Sequence, residues 1–214
     1  MIKAIIWDMD GVIIDSETHY QRLEKEFLGR LGIFADTKVL ASYMGTPFSS
    51  YFPILAEKYG SNKSLDEAAV EYQSFIEELY KDHVELMPGI EEVFPELSSL
   101  YKFGLATSTT KELADQVLLK FDLLKYFSER THGDEIKNGK PDPEIFNLSM
   151  KKLNIGKDEA VIIEDSENGM KAGRASGAKV IGYKGIHNKN LDFSGADFVI
   201  QDLKEIHKIV ETLR

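Results

Sequence analysis

The 214-residue chain contains no cysteine. That excludes disulfides, thiolate nucleophiles and cysteine-ligated metals together. It also lacks any apolar run close to the ~20 residues that a membrane-spanning helix needs. The first residues, Met1-Ile2-Lys3-Ala4, enter an apolar strand-like run with no basic n-region or small-residue cleavage site, so no signal peptide is expected. Positive charge is scarce: 26 Lys and Arg stand against 36 Asp and Glu, a formal net charge of −10. That balance disfavours a nucleic acid or an anionic membrane as partner. An anionic substrate would therefore need a local cation to offset the general field. What remains is ordinary for a globular protein, with 43% hydrophobic and 29% charged residues. A cytoplasmic monomer acting on a small molecule is the expectation, built as one core domain that carries an insertion.

The texture changes along the chain. Residues 17–85 show helical periodicity and almost no strand signal, with helices expected at 17–31, 48–59 and 65–83. Ser64 followed by Glu67 has the spacing of a capping box for the third of these. From Met87-Pro88-Gly89 onward, short apolar strands alternate with helices: a strand at 103–107 then a helix at 111–121, a strand at 160–164 then a helix at 167–176, and strands at 180–183 and 198–200 before a last helix. Such alternation predicts a parallel sheet covered on both faces. The run at 2–7 has the same texture. The expected fold is thus α/β, a Rossmann-like parallel core formed by residues 1–15 and 87–214, interrupted after its first strand by a helical cap over residues 16–86.

Ligands of open parallel sheets bind outside the carboxyl ends of the strands, so the residues at those ends carry the functional reading. The first strand ends in Asp8-Met9-Asp10-Gly11. Asp10-Gly11 is a turn signal in its own right, but two carboxylates two residues apart also suit a nucleophile and a proton donor. After the strand at 103–107 comes Thr107-Ser108-Thr109-Thr110. Here a hydroxyl and free backbone N–H groups could hold phosphate oxygens. Equally, Thr109 could cap the next helix with Glu112 three residues on. Lys140 lies between Gly139 and Pro141 in a stiff loop, where it would neutralise a phosphate or remain a solvated surface lysine. Glu164-Asp165 ends the run Val161-Ile162-Ile163. Two acids there are costly without a cation nearby, and hard oxygen ligands without thiols point to Mg²⁺.

Taken in order, these residues resemble the haloacid dehalogenase-like superfamily, in particular its members with a helical cap after the first strand. Asp8-Met9-Asp10-Gly11-Val12 is similar to the first motif of that family. Ala106-Thr107-Ser108 is similar to the second, Lys140-Pro141 to the third and Glu164-Asp165-Ser166 to the fourth. The resemblance implies that Asp8 becomes an aspartyl-phosphate while Asp10 serves as general acid and then general base. It implies that Thr107, Ser108 and Lys140 bind the transferring phosphate. It also implies Mg²⁺ held by the Asp8 side chain, the Asp10 backbone carbonyl and Asp165, with Glu164 contributing. An acid at position 10 favours phosphoryl transfer over dehalogenation. The cap would close over the substrate, with hinges near residues 12–16 and 85–89. Its candidate substrate contacts are Glu17, His19, Gly45, Thr46 and Phe48. For His19 a helix-surface role competes, as packing does for Phe48.

Relatives with this pattern divide into small-molecule phosphatases and β-phosphoglucomutases. A mutase must hold a second phosphate, yet residues 43–51 and 65–80 contain no Lys or Arg. This favours a phosphatase of a small phosphorylated metabolite such as a sugar phosphate, with the mutase as alternative. A receiver domain also gathers acids, Thr and Lys around a phosphorylated aspartate, but its phosphoacceptor follows the third strand of a domain of about 120 residues, within the ordinary domain range. His132, His187 and His207 lack ligand spacing and receive no role.

Overall fold

A computed structural model describes residues 1–41, 43 and 48–213. These divide into two compact units, one of residues 1–15 and 85–214, the other of residues 16–84.

The first unit begins with β1 (Ala4–Trp7), every residue of which is buried. A two-residue strand β2 (Ile14–Asp15) follows. The second unit holds α1 (Glu17–Arg30), α2 (Thr37–Ala41), α3 (Phe48–Tyr59) and α4 (Leu65–Glu78), the last continued by a π-helical turn over Leu79–His83. The capping box at the start of α4 forms as its spacing predicts: Ser64 N donates to Glu67 Oε2 at 2.9 Å, and Ser64 Oγ accepts from Glu67 N. The chain then returns through β3 (Glu85–Leu86), which pairs antiparallel with β2.

The rest of the first unit is α5 (Ile90–Ser98), β4 (Lys102–Ala106), α6 (Lys111–Lys120), β5 (Phe127–Thr131), α7 (Glu144–Leu153), β6 (Ala160–Glu164), α8 (Glu167–Ser176), β7 (Lys179–Tyr183), β8 (Phe198–Ile200) and α9 (Glu205–Thr212). Six strands form one parallel sheet in the order β5-β4-β1-β6-β7-β8. Apolar residues alternate between its faces, as the period of a strand requires. On one face Ala4, Ile6 and Ile162 pack with Phe146 and Met150 of α7 and Met170 of α8. On the other, Trp7 meets Phe94 of α5 and Phe103 of β4, with ring centroids at 4.8 and 5.2 Å. Helices therefore cover both faces, the α/β arrangement expected from the alternation of elements.

Three elements had no strong sequence signal. α5 carries Pro95 inside it. β5, Phe-Ser-Glu-Arg-Thr, is an edge strand with only its two ends buried. α7 starts directly after Pro143 and opens with Glu144.

Helix α8 passes close over the tip of β6. A Cβ added to Gly169 would lie 1.8 Å from Glu164 Oε1. Helix propensity alone makes Gly→Ala favourable by about 1 kcal/mol, so Gly169→Ala separates propensity from packing. We expect a net loss of about 1–3 kcal/mol from overpacking, a fall in Tm of about 2–4 °C per kcal/mol for a chain this size. Calorimetry on the purified variant checks this; a rise in Tm contradicts it.

Candidate active site at the strand tips

Register explains why the functional side chains meet. Trp7 of β1 pairs with Leu105 of β4 and with Ile163 of β6. The next residue on each strand, Asp8, Ala106 and Glu164, therefore stands at one level on three adjacent tips. Lys140, from the loop before α7, reaches all three. Its Nζ donates to Asp8 Oδ1 at 2.5 Å, to Glu164 Oε1 at 2.6 Å and to the Ala106 carbonyl at 3.3 Å. A lysine has three donors, and here each strand tip takes one. The side chain is only 8% exposed, so the reading of a solvated surface lysine does not hold. The neighbouring Asp8 and Glu164 carboxylates hold its ammonium protonated, more than reversing the opposite effect of burial.

Glu164 is fully buried and engaged on both oxygens. Oε2 accepts from Asp165 N, Ser166 N and Ser166 Oγ, each at 3.0 Å, while Oε1 takes Lys140. Ser166 also caps α8, accepting from Gly169 N at 3.0 Å. Asp165 sits against Gly11, whose φ of +77° turns the chain sharply after Asp10. A Cβ at Gly11 would lie 2.1 Å from Asp165 Oδ2. Glycine there supplies both the left-handed conformation and the room for the carboxylate.

Burial raises the Asp8 carboxyl to about 8; Glu164 and Asp10 add to the rise and Lys140 offsets part of it. The Asp165 carboxyl is likewise pushed well up, first by burial and then by Glu164 and Asp8. Asp8, Glu164 and Asp165 bring ligand oxygens within 4.8 Å of one another. All are carboxylate oxygens, the donor set of a hard divalent cation such as Mg²⁺, and a cation would relieve the repulsion that raises these groups. The residues fit the ion.

Asp10 is half-buried, and its Oδ2 accepts from the Thr109 hydroxyl at 3.0 Å. This corrects the capping alternative for Thr109: the residue before α6 is Thr110, with no side-chain cap bond. Thr107 is buried and its Oγ1 accepts from Thr109 N at 3.1 Å, while Ser108 is exposed at the turn. Of the backbone N–H groups around this turn, Thr107 N donates to the Thr131 carbonyl, Thr109 N to Thr107 Oγ1 and Lys111 N to Asp134 Oδ1.

The helical unit is described by itself. Glu17 opens α1 and is half-buried, as is His19, whose ring lies 5.7 Å from that of His83. Phe48 is buried in the unit's aromatic core, stacked on Tyr72 at 4.1 Å. Gly45 and Thr46 lie outside the described residues. Three histidines given no role lie beside carboxylates: His132 with Glu135, His187 with Asp15, and His207 with Glu96. Two site neighbours escaped the sequence reading, Thr109 as a partner of Asp10 and Asn188, whose Nδ2 donates to the Asp165 carbonyl at 2.9 Å. Both contacts join residues distant in the chain, and no local pattern announces them.

Comparison with known proteins gives the family and the fold. The profile of haloacid dehalogenase-like hydrolases matches residues 5–183, a span that includes Asp8, Thr107, Lys140 and Asp165. A phosphorylated carbohydrates phosphatase of Thermotoga maritima is 33% identical over 190 residues, 88% of each chain. A fructose-1-phosphate phosphatase of Escherichia coli is 25% identical over 178 residues, 83% of this chain and 94% of the other. Among solved structures, a Thermotoga maritima protein provisionally called a β-phosphoglucomutase superposes with a TM-score of 0.84 at 30% identity, covering the whole of both chains. On the extent of these matches, the chain belongs to the haloacid dehalogenase-like hydrolase family.

Proposed function

We propose that this protein is a Mg²⁺-dependent phosphatase of a small phosphorylated carbohydrate, working through an aspartyl-phosphate on Asp8. The observation that carries the reading is the Lys140 ammonium, buried and bonded at once to the Asp8 and Glu164 carboxylates. A lysine spent on structure alone needs no such position at the open end of a parallel sheet. The named activities of the Thermotoga and Escherichia relatives supply the substrate class.

Phosphate monoesters resist hydrolysis strongly, and enzymes accelerate it up to ~10²¹-fold, chiefly by positioning and charge stabilisation. In the first step a carboxylate oxygen of Asp8 attacks phosphorus as the bond from phosphorus to the sugar oxygen breaks. Asp10, two residues on and steadied by the Thr109 hydroxyl, delivers a proton to that departing oxygen. Lys140 draws charge from both Asp8 and the phosphate oxygens; its longest bond, to the Ala106 carbonyl, is the one most easily exchanged for a phosphate. Thr107 and Ser108 are assigned to the phosphate from the neighbouring tip. In the second step water attacks the phosphorus, Asp10 takes up its proton, and inorganic phosphate leaves as the Asp8 carboxylate is restored. Mg²⁺ held by Asp8, Asp165, the Asp10 carbonyl and, in part, Glu164 would supply the positive charge that lets a dianion approach a carboxylate.

A second reading, a phosphosugar mutase, is favoured by the likeness to the Thermotoga structure provisionally called a β-phosphoglucomutase. The absence of Lys and Arg from residues 43–51 and 65–80 weighs against it.

Three outcomes are expected. Asp8→Asn should lower phosphate release from sugar phosphates on the order of 10³-fold or more with the circular dichroism spectrum unchanged; activity within tenfold of the parent rules out Asp8 as nucleophile. A β-glucose 1-phosphate assay with a bisphosphate primer should yield free phosphate and no 6-phosphate; efficient isomerisation would replace the phosphatase by the mutase. The third concerns pH. Asp8 titrates near 8 in the folded, metal-free protein and near 3.8 when unfolded, so the folded state binds the extra proton between those values. Metal-free stability should therefore fall as pH rises from about 4 to 8, and saturating Mg²⁺ should abolish that fall. Parallel melts in chelator and in Mg²⁺ read it directly; superimposable curves remove the metal from the site.

A further inference from the structure

We infer that Asn188 is a positioning residue for Asp165, and that through Asp165 it sets the affinity of the β6 tip for a divalent cation. Asn188 lies in the loop between β7 and β8 and is 7% exposed. Three oxygens surround its Nδ2: the Asp165 carbonyl at 2.9 Å, the Tyr183 carbonyl at 2.9 Å and Asp165 Oδ2 at 3.4 Å. Carbonyls cannot donate, so the amide nitrogen has to face them and the orientation of the group follows. Tyr183 ends β7, the strand beside β6. One amide thus ties the tips of two adjacent strands and touches both the backbone and the carboxylate of Asp165.

The carboxylate is confined from the other side as well. Gly11 presents its bare face to Asp165 Oδ2, where a Cβ would come within 2.1 Å. Oδ2 lies against both that glycine and the Asn188 amide, and the Glu164 and Asp8 carboxylates repel the Asp165 carboxylate. An amide carries no charge, so this contact orients the Asp165 carboxylate without adding a positive charge that would compete with a cation. Meanwhile no donor among the described residues reaches Asn188 Oδ1, which is buried. An orphaned acceptor is unfavourable, and an apolar side chain would fill the space without it. The residue serves its donor end.

The inference rests on Asp165 being a ligand of Mg²⁺, and the experiment separates the two. Mg²⁺ binding to the 214-residue chain is measured by calorimetric titration for the parent, Asn188→Ala, Asn188→Leu and Asp165→Asn, alongside melts in chelator. Asn188→Leu keeps the branched shape of the side chain without its donor, so the loop stays filled if the alanine variant loosens. Partners behind a metal ligand are typically worth 10–100-fold in affinity; both Asn188 variants should bind Mg²⁺ weaker by about that factor, with kcat recovering at saturating Mg²⁺. A merely structural role would lower the metal-free Tm and leave the Kd unmoved. A Kd within twofold of the parent in Asn188→Leu, with Asp165→Asn defective, overturns the inference alone. Undiminished binding by Asp165→Asn overturns the ligand reading and the inference with it.

Discussion

Everything at the open end of the sheet depends on one buried ammonium. Lys140 gives a hydrogen bond to each of three neighbouring strand tips, Asp8 on β1, the Ala106 carbonyl on β4 and Glu164 on β6. Removing ions from water costs several kcal/mol each even after relaxation. Such a cluster persists only where pairing is close and the remaining lone pairs are satisfied. Glu164 meets that condition, with Ser166 and two backbone amides on the oxygen that Lys140 does not use. Burial, with the neighbouring carboxylates adding to it, drives the Asp8 and Asp165 carboxyls upward. One lysine stands against three converging carboxylates, a shortage of positive charge that suits the divalent cation proposed for this site.

The fold delivers this deficit through topology. Because β1 is central, with β4 and β6 as its parallel partners, residues separated by about a hundred positions arrive at one level. The approach is too close for ordinary side chains in two places. Gly11 leaves room for Asp165 and Gly169 leaves room for Glu164. Acid and glycine are thus coupled across the site: each carboxylate can be buried where it is because a particular glycine lacks a Cβ.

What could be read from the sequence follows the same division. Val161-Ile162-Ile163 announces a buried strand, and acids at its end are conspicuous because they are costly there. Asp8 and Glu164 could be named in advance for that reason, Lys140 from its loop between Gly139 and Pro141, and the parallel core followed from strands alternating with helices. β5 was silent because an edge strand can be polar, and α5 because Pro95 interrupts its pattern. Thr109 was open to a capping role from its spacing to Glu112. Its hydroxyl instead crosses 99 positions to reach Asp10, a contact no local rule contains. Asn188 was missed for the same reason: its meaning lies in what the β7–β8 loop is folded against. Gly45 and Thr46 fall outside the described residues, so that part of the substrate reading has no counterpart here.

The helical unit solves a separate problem with its own polar core. Glu24 is 6% exposed, and one of its oxygens accepts from both Tyr51 at 2.5 Å and Tyr20 at 3.1 Å; Tyr20 in turn pairs with Tyr72 at 2.8 Å. Burial raises the Glu24 carboxyl, partly offset by those two hydroxyls. Satisfied networks of this kind specify one packing over its near competitors. Phe27, Phe48, Tyr72 and Phe75 stack around it. The groups that fix this unit are therefore committed to one another, as those of the α/β unit are committed to Lys140. Among the described residues, the two networks have no member in common.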